Sequence, residues 1–153
     1  LADIGAAVFE DIFDHRVGDA QVKGGVGKGH ARGVGQVDEA GALACMRHAQ
    51  KKVVTVAIDS MTFRQPIRIG DLIILNAEVT YTGHTSMEAE VQVVAENPVT
   101  GERTHTNTAY LLYVALDDEG HPTTVPSLIT ETEEENQRME QAKKRQAYRI
   151  SQK

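Results

Sequence analysis

Residues 72–96 read LIILNAEVTYTGHTSMEAEVQVVAE, and this stretch determines the predicted fold. It begins with a run rich in β-branched and aromatic side chains, which favour strands. Gly83 and His84 interrupt the run, and apolar and polar residues then alternate from Met87 onward. Alternation with a period of two indicates a strand with one buried face, and a short break between two such runs predicts a hairpin. The stretch therefore predicts two long antiparallel strands.

Segments on both sides of the hairpin extend this prediction to a whole domain. KKVVTVAIDSMTF (51–63) and ERTHTNTAYLLYVALD (102–117) have strand patterns, and turn sequences rich in Gly, Pro and Asp bound the second. VDEAGALACMRHA (37–49) instead places apolar residues at helical spacing, with Asp38 and Glu39 in its first turn. One helix of small residues followed by four long strands predicts an α+β domain, with an antiparallel sheet covering the helix.

The C-terminal stretch TETEEENQRMEQAKKRQAYRISQK (130–153) predicts a second helix. A capping box is expected from Thr130 to Glu133, and the apolar stripe that follows is thin. We expect a helix that is solvated or packs on a partner subunit; the alternative is that the basic KKRQAYR contacts phosphate or a lipid surface. The chain is therefore divided into a domain at 1–129 and a helical tail at 130–153.

Composition excludes several classes of function. A chain of 153 residues fits one domain with its own core, and a net charge of -6 argues against a nucleic-acid partner. The single Cys45 cannot form an internal disulfide, and neither a basic signal segment nor a run of about twenty apolar residues is present. We therefore expect a cytoplasmic protein with no membrane contact. The histidines lack metal-ligand spacing, so no metal site is expected.

The stretch VGDAQVKGGVGKGHARGVGQ (17–36) is crowded with glycine. A phosphate-binding P-loop would need a Gly at position 22 and a hydroxyl at 29, which are Val22 and Gly29 here, and the dinucleotide-binding pattern also fails. Because glycine loses much conformational entropy on ordering and offers little to bury, the stretch predicts a mobile loop.

Four segments together carry a resemblance to a known family. They are VDEAGALACMRHA (37–49), VVTVAIDSMTFRQPIRIGD (53–71), GHTSM (83–87) and YVALDDEGHPTTVP (113–126). In this order they resemble the hotdog-fold acyl-CoA thioesterases, specifically the cytosolic acyl-CoA hydrolase group. The resemblance implies a five-stranded antiparallel sheet wrapped around one helix, and homodimers that assemble into a hexamer as a trimer of dimers. It also implies hydrolysis of fatty acyl-CoA to free acid and coenzyme A, with no other cofactor.

Asp38 is the candidate catalytic residue. Thioester hydrolysis needs a base or nucleophile and donors that polarise the carbonyl oxygen. At the start of a helix, Asp38 would have its carboxylate beside free backbone N–H groups. In the family the Asp of the matching motif activates water or attacks the thioester carbon. The alternative is that Asp38 only caps its helix.

Five residues are candidates for binding the substrate. Gly83, Thr85 and Ser86 match the family's Gly-x-Thr-Ser, which lies along the path of coenzyme A, and the alternative is an ordinary turn. Arg64 and Arg68 flank Pro66 and suit the geometry of phosphate groups, although arginines are also common on surfaces.

Other polar residues near the helix receive structural interpretations. Glu39 is expected to face solvent or a subunit contact, and His48 to suit the negative end of the helix dipole. Cys45 is expected to fill the core. The family has a second polar residue ahead of the helix, but residues 18–36 depart from its pattern, which leaves only His15 and His30 as guesses. There are two alternative functions. One is a catalytically silent subunit that binds acyl-CoA or serves in assembly, and the other is a hotdog dehydratase or hydratase.

Overall fold

The computed structural model describes residues 19–25, 30–59, 64–65 and 67–153 of the chain. Seven elements follow one another within these residues. They are β1 (Asp19–Gly25), α1 (His30–Ala49), β2 (Lys52–Ile58), β3 (Leu72–Thr82), β4 (Ser86–Glu96), β5 (Arg103–Leu116) and α2 (Glu133–Ser151).

The strands form one sheet in the order β1-β3-β4-β5-β2, and every neighbouring pair is antiparallel. Helix α1 packs on one face, the inner face, where side chains of α1, β3, β4 and β5 form the apolar core. The core is built largely from small and medium side chains, because a helix lying against a sheet must approach it closely. Its members include Val37, Ala44, Val79, Met87, Val91 and Leu111. The predicted α+β hotdog arrangement of an antiparallel sheet on one helix is confirmed.

Helix α1 begins seven residues earlier than the sequence predicts, at His30 rather than at position 37. The glycine-rich stretch before it is also ordered in part, because Asp19–Gly25 pairs with β3 along its whole length. A mobile loop was therefore the wrong prediction for 19–25 and for 30–36. Backbone hydrogen bonds require no side chain, so pairing with β3 compensates for glycines that bury almost nothing. The remaining loop residues, 26–29, and His15 lie outside the described residues.

Helix α2 lies on the opposite face of the sheet, the outer face. Its capping box runs from Thr132 to Glu135, two residues later than predicted. Most residues of α2 are exposed, as expected for a solvated helix, but its arginines also pack it on its own sheet, a contact that the sequence did not predict. Ala142 is the apolar α2 residue that becomes fully buried. Apolar periodicity underestimates how much such a helix packs on the sheet, because the long stems of its arginines make much of the contact.

Candidate active site

Asp38 lies in the third turn of α1, not in the first turn as predicted. The neighbouring Val37 and Ala40 are buried against the sheet, whereas Asp38 is half-buried on the flank of the helix that faces β2. At this position the backbone N–H belongs to the helical hydrogen-bond pattern. The free N–H groups at the start of α1 lie two turns away, so the predicted oxyanion site beside Asp38 at a helix N-terminus is wrong.

Two hydroxyl groups hold the Asp38 side chain. Thr55 Oγ1 donates to Asp38 Oδ1 over 2.7 Å. The Tyr113 hydroxyl lies 2.8 Å from the Asp38 carbonyl oxygen and 3.1 Å from Oδ1, so its proton is shared between them. No described residue donates a hydrogen bond to Asp38 Oδ2. One carboxylate oxygen is therefore fixed, and the other can accept a proton or approach a reacting carbon.

Tyr113 is fully buried, and its phenol remains a neutral donor. Burial raises the pKa of Tyr113 well above its ordinary value, and the nearby Asp38 carboxylate and its hydrogen bond raise that pKa further. The sheet register places this residue, since Tyr113 of β5 pairs with Thr55 of β2 on one side and with Met87 of β4 on the other. The site is thus built on two strands and one helix.

Gly41 makes room for this arrangement. A Cβ atom at position 41 would overlap the Tyr113 hydroxyl and lie 3.1 Å from two of its ring carbons. We expect Gly41→Ala to lower the free energy of unfolding by about 1–2 kcal/mol, because overpacking outweighs the better helix propensity of alanine. Gly35→Ala lies in the same helix, but its new Cβ atom would have no neighbour within 4 Å, so it should stabilise the protein slightly. Urea denaturation measures both, and equal stabilities of the two variants would contradict the packing argument.

The predicted coenzyme A hairpin lies close to this site in the sheet. The Gly83 N–H donates to the Ser86 carbonyl over 2.8 Å, which closes the turn between β3 and β4. The Thr85 carbonyl accepts from the Ala115 N–H over 3.0 Å, and Ser86 pairs with Val114, the neighbour of Tyr113 in β5. Ser86 is therefore one residue pair away from Tyr113, which binds Asp38.

The two predicted arginines lie elsewhere in the subunit. The Arg64 N–H donates to the Thr106 carbonyl, seven residues before Tyr113 and hence about 24 Å away along β5. The Arg68 N–H donates to Asp71 Oδ2 over 2.9 Å, and both arginine residues are exposed. Within one subunit the structure does not bring Arg64 to Asp38, so the roles of both arginines stay predictions.

The structure also shows where the other candidate residues lie. Glu39 is exposed and Cys45 is fully buried, and burial raises the pKa of its thiol far above the ordinary value. His48 is buried, and its Nε2 lies 2.8 Å from the Pro126 carbonyl oxygen. His30 is the first residue of α1.

In the described part of the chain, no cluster of His, Cys, Asp or Glu could hold a metal ion. None of its helices combines the length and apolarity of a membrane span.

Three residues of the site were missed by the sequence interpretation: Gly41, Thr55 and Tyr113. A signal for Tyr113 existed, because it occupies an inward position in the alternating run of β5, where a polar group needs a partner. Thr55 gave no comparable signal. Its role depends on the distance between β2 and α1 in space, which a linear pattern does not encode.

The site adjoins β2, an edge strand among the described strands. Apolar side chains on this strand are unusually exposed: Val54 at 44%, Val56 at 52% and Ile58 at 42%. Among the described strands, β2 has a neighbour on one side only, which is β5. An edge strand carrying exposed apolar side chains is one that proteins commonly cover by association.

Comparisons with known proteins show which proteins the chain is similar to. Residues 30–102 match the family described as the Thioesterase superfamily. YkhA of Bacillus subtilis, an uncharacterized acyl-CoA thioester hydrolase, is 40% identical over 99 residues, covering 65% of this chain and 58% of the relative. The cytosolic acyl coenzyme A thioester hydrolase of Rattus norvegicus is 37% identical over 111 residues, covering 71% of this chain and 29% of the relative. The chain thus spans less than two thirds of either relative.

Two solved structures are similar over most of their length. An apo hexameric acyl-CoA thioesterase has a TM-score of 0.83 and 36% identity, covering 89% of this chain and 93% of the other. An acyl-CoA hydrolase from Staphylococcus aureus, solved with butyryl coenzyme A, coenzyme A and coenzyme A disulfide, has a TM-score of 0.78 and 30% identity. That similarity covers 89% of this chain and 91% of the hydrolase.

Proposed function

The chain belongs to the Thioesterase superfamily and, within it, to the acyl-CoA thioester hydrolases, and on that premise we propose that it hydrolyses fatty acyl-CoA to free fatty acid and coenzyme A. The observation that carries the proposal is the Asp38 carboxylate, held at Oδ1 by Thr55 and Tyr113 beside β2, an edge strand among those described. We place this reaction in the cytosol, as the name of the rat relative indicates for that protein.

A relative supports the choice of Asp38 and Thr55. Solved structures of the Staphylococcus aureus hydrolase include variants with alanine in place of one aspartate and of one threonine. Those two positions are 17 residues apart, the same separation as between Asp38 and Thr55 here. A third variant replaces an asparagine 15 residues before that aspartate, where this chain has Lys23. The proposal therefore rests on the aspartate and threonine, without the asparagine.

The proposed reaction uses Asp38 in one of two ways. As a general base, its Oδ2 removes a proton from water while the water oxygen bonds to the thioester carbon. As a nucleophile, Oδ2 bonds to that carbon itself, and water later releases the fatty acid from the resulting anhydride. In both cases the C–S bond breaks and the coenzyme A sulfur leaves with a proton. Thr55 and Tyr113 hold the carboxylate in the orientation that either route requires.

The substrate is proposed to cross the hairpin between β3 and β4. Because this turn lies next to the strand residues that bind Asp38, Gly83, Thr85 and Ser86 would contact the part of coenzyme A next to the thioester. Arg64 and Arg68 are proposed to bind its phosphate groups. Because Arg64 is distant from Asp38 of its own subunit, this contact requires the site of a neighbouring subunit.

A homodimer through β2 would supply that neighbour, and we propose that such dimers assemble into a hexamer, the state described for a solved relative. We expect Val54→Lys to shift the protein toward monomers, because lysine on an edge strand opposes pairing with a second strand. Val99→Lys, at an exposed turn position, is the matched control and should leave the assembly unchanged. Light scattering after size exclusion measures both, and a dimer or larger assembly of Val54→Lys with unchanged mass would contradict this interface.

Free thiol release from acyl-CoAs of different chain length tests the proposed function. The hydrolase should release one thiol per fatty acid formed. Binding of acyl-CoA without thiol release would instead favour the silent subunit. Hydration of an enoyl-CoA without thiol release would favour the hydratase, although no described histidine contacts Asp38 to act with it.

A further inference from the structure

Arg149 of α2 links two strands across the outer face of the sheet. Its Nε donates to Asp59 Oδ1 over 3.1 Å and its Nη2 to Asp59 Oδ2 over 2.8 Å, a bidentate contact. The same Nη2 donates to Glu88 Oε2 over 2.7 Å. Asp59 directly follows β2, whereas Glu88 lies in β4. Arg149 therefore spans β5, which lies between these two strands.

The β4 end of this link is rigid. Glu88 is fully buried and also accepts from Thr80 Oγ1 of β3 over 2.9 Å and from Arg145 Nη2 over 2.7 Å. The Arg145 guanidinium lies 3.8 Å from the centre of the Tyr110 ring, so it is itself held in place. With its lone pairs occupied by these donors, Glu88 provides a fixed point in the middle of the sheet.

The β2 end of the link lies behind the candidate active site. On the inner face, Met87, Tyr113 and Thr55 are paired across β4, β5 and β2. The next residues along these strands form the outer row of Glu88, Leu112 and Ala57, and a bulge separates Thr55 from Ala57. Arg149 connects Glu88, at one end of this outer row, to Asp59 just beyond its other end. The ion pair and the Asp38 site are thus on opposite faces of the same three strands.

We propose that Arg149 is a positioning residue for the hydrolytic site, acting through Asp59 to fix β2 so that Thr55 keeps its contact with Asp38. This inference rests on the proposed function. Among the described strands, β2 pairs with β5 alone and carries a bulge beside Thr55, so a further attachment near its C-terminal end would limit its movement. Asp59 provides two: its N–H donates to the Tyr110 carbonyl over 3.0 Å, and its carboxylate binds Arg149. A shift of about 1 Å in a catalytic contact can reduce a rate by about 100-fold.

Arg149→Gln tests the proposal, with Arg138→Gln as the matched control. Arg138 also pairs with an acid of the sheet, Glu78 of β3, but this contact does not involve β2. We expect Arg149→Gln to lower kcat by about 10–100-fold with KM changed by less than about threefold. Arg138→Gln should leave kcat within about twofold. Asp59→Asn should reproduce the loss in kcat, and the double variant Asp59→Asn/Arg149→Gln should lose no more than either single variant.

Hydrogen exchange of the backbone amides gives a readout that does not depend on catalysis. Arg149→Gln should accelerate exchange within Lys52–Ile58 while Leu72–Thr82 stays protected, and Arg138→Gln should leave Lys52–Ile58 unchanged. Equal losses of kcat in both variants, or unchanged exchange of β2 in Arg149→Gln, would overturn the proposal. A wild-type protein that releases no thiol would overturn the proposed function instead, and the exchange measurement would still decide whether Arg149 fixes β2.

Discussion

Asp38→Asn is expected to lower kcat for acyl-CoA hydrolysis by about 10²–10⁴-fold, the usual contribution of a positioned base. Asparagine keeps the size of the side chain and an oxygen that can accept from Thr55 and Tyr113. Its amide nitrogen replaces the second carboxylate oxygen. This nitrogen can neither accept the proton of water nor attack the thioester. Because the geometry is retained, KM should change little. Initial rates of thiol release across a range of acyl-CoA concentrations measure both quantities.

Glu39→Gln is the matched control for this loss. Glu39 is the next residue of α1 but is exposed, so removing its charge should leave kcat within about twofold. If both variants lose activity equally, the effect comes from the charge of the helix and not from a base at Asp38. If Asp38→Asn hydrolyses acyl-CoA at the wild-type rate, Asp38 is not the reacting group.

Glu88→Ala is expected to lower the free energy of unfolding by about 3–5 kcal/mol, which is the largest stability effect that the structure predicts. The Glu88 side chain is 0% exposed and accepts from Arg145 and Arg149. Removing this carboxylate leaves two guanidinium groups facing a buried surface without their shared partner. It also leaves a hydroxyl of Thr80 with one acceptor fewer. Urea denaturation monitored by circular dichroism measures the change.

Glu134→Ala provides the comparison for an exposed ion pair. Glu134 pairs with Arg138 one turn along α2, and its side chain is 77% exposed. Such pairs contribute little because water screens them, so the variant should lose less than about 0.5 kcal/mol. Similar losses in Glu88→Ala and Glu134→Ala would show that the buried network under α2 does not hold the helix to the sheet.

The strands could be predicted from the sequence because their signal is local. Alternation of apolar and polar residues follows the pleat, so residues 72–96 predicted β3 and β4 with their turn at Gly83. Asp38 was identified through the motif VDEAGALACMRHA and not through periodicity. Its partners were not predicted. Thr55 and Tyr113 are 17 and 75 residues away along the chain, and only the packing of α1 on the sheet brings them together.

The errors at the two helices have one physical origin. The low local propensity of the glycines before Asp38 predicted a mobile loop. Pairing with β3 and packing of α1 outweigh that propensity. In α2 the thin apolar stripe suggested a solvated surface, whereas buried carboxylates of the sheet attract its arginines. Both effects depend on residues that are distant in sequence, and neither is visible in a window of neighbouring residues.

The most direct measurement of the central claim is the rate of the chemical step in a single turnover. Enzyme in excess over acyl-CoA is mixed rapidly, quenched, and the free fatty acid quantified for the wild type and for Asp38→Asn. The account predicts complete conversion by the wild type, and in Asp38→Asn bound substrate with a rate constant lower by about 10²–10⁴-fold. Equal rate constants for the two proteins, or no fatty acid from the wild type, would contradict it.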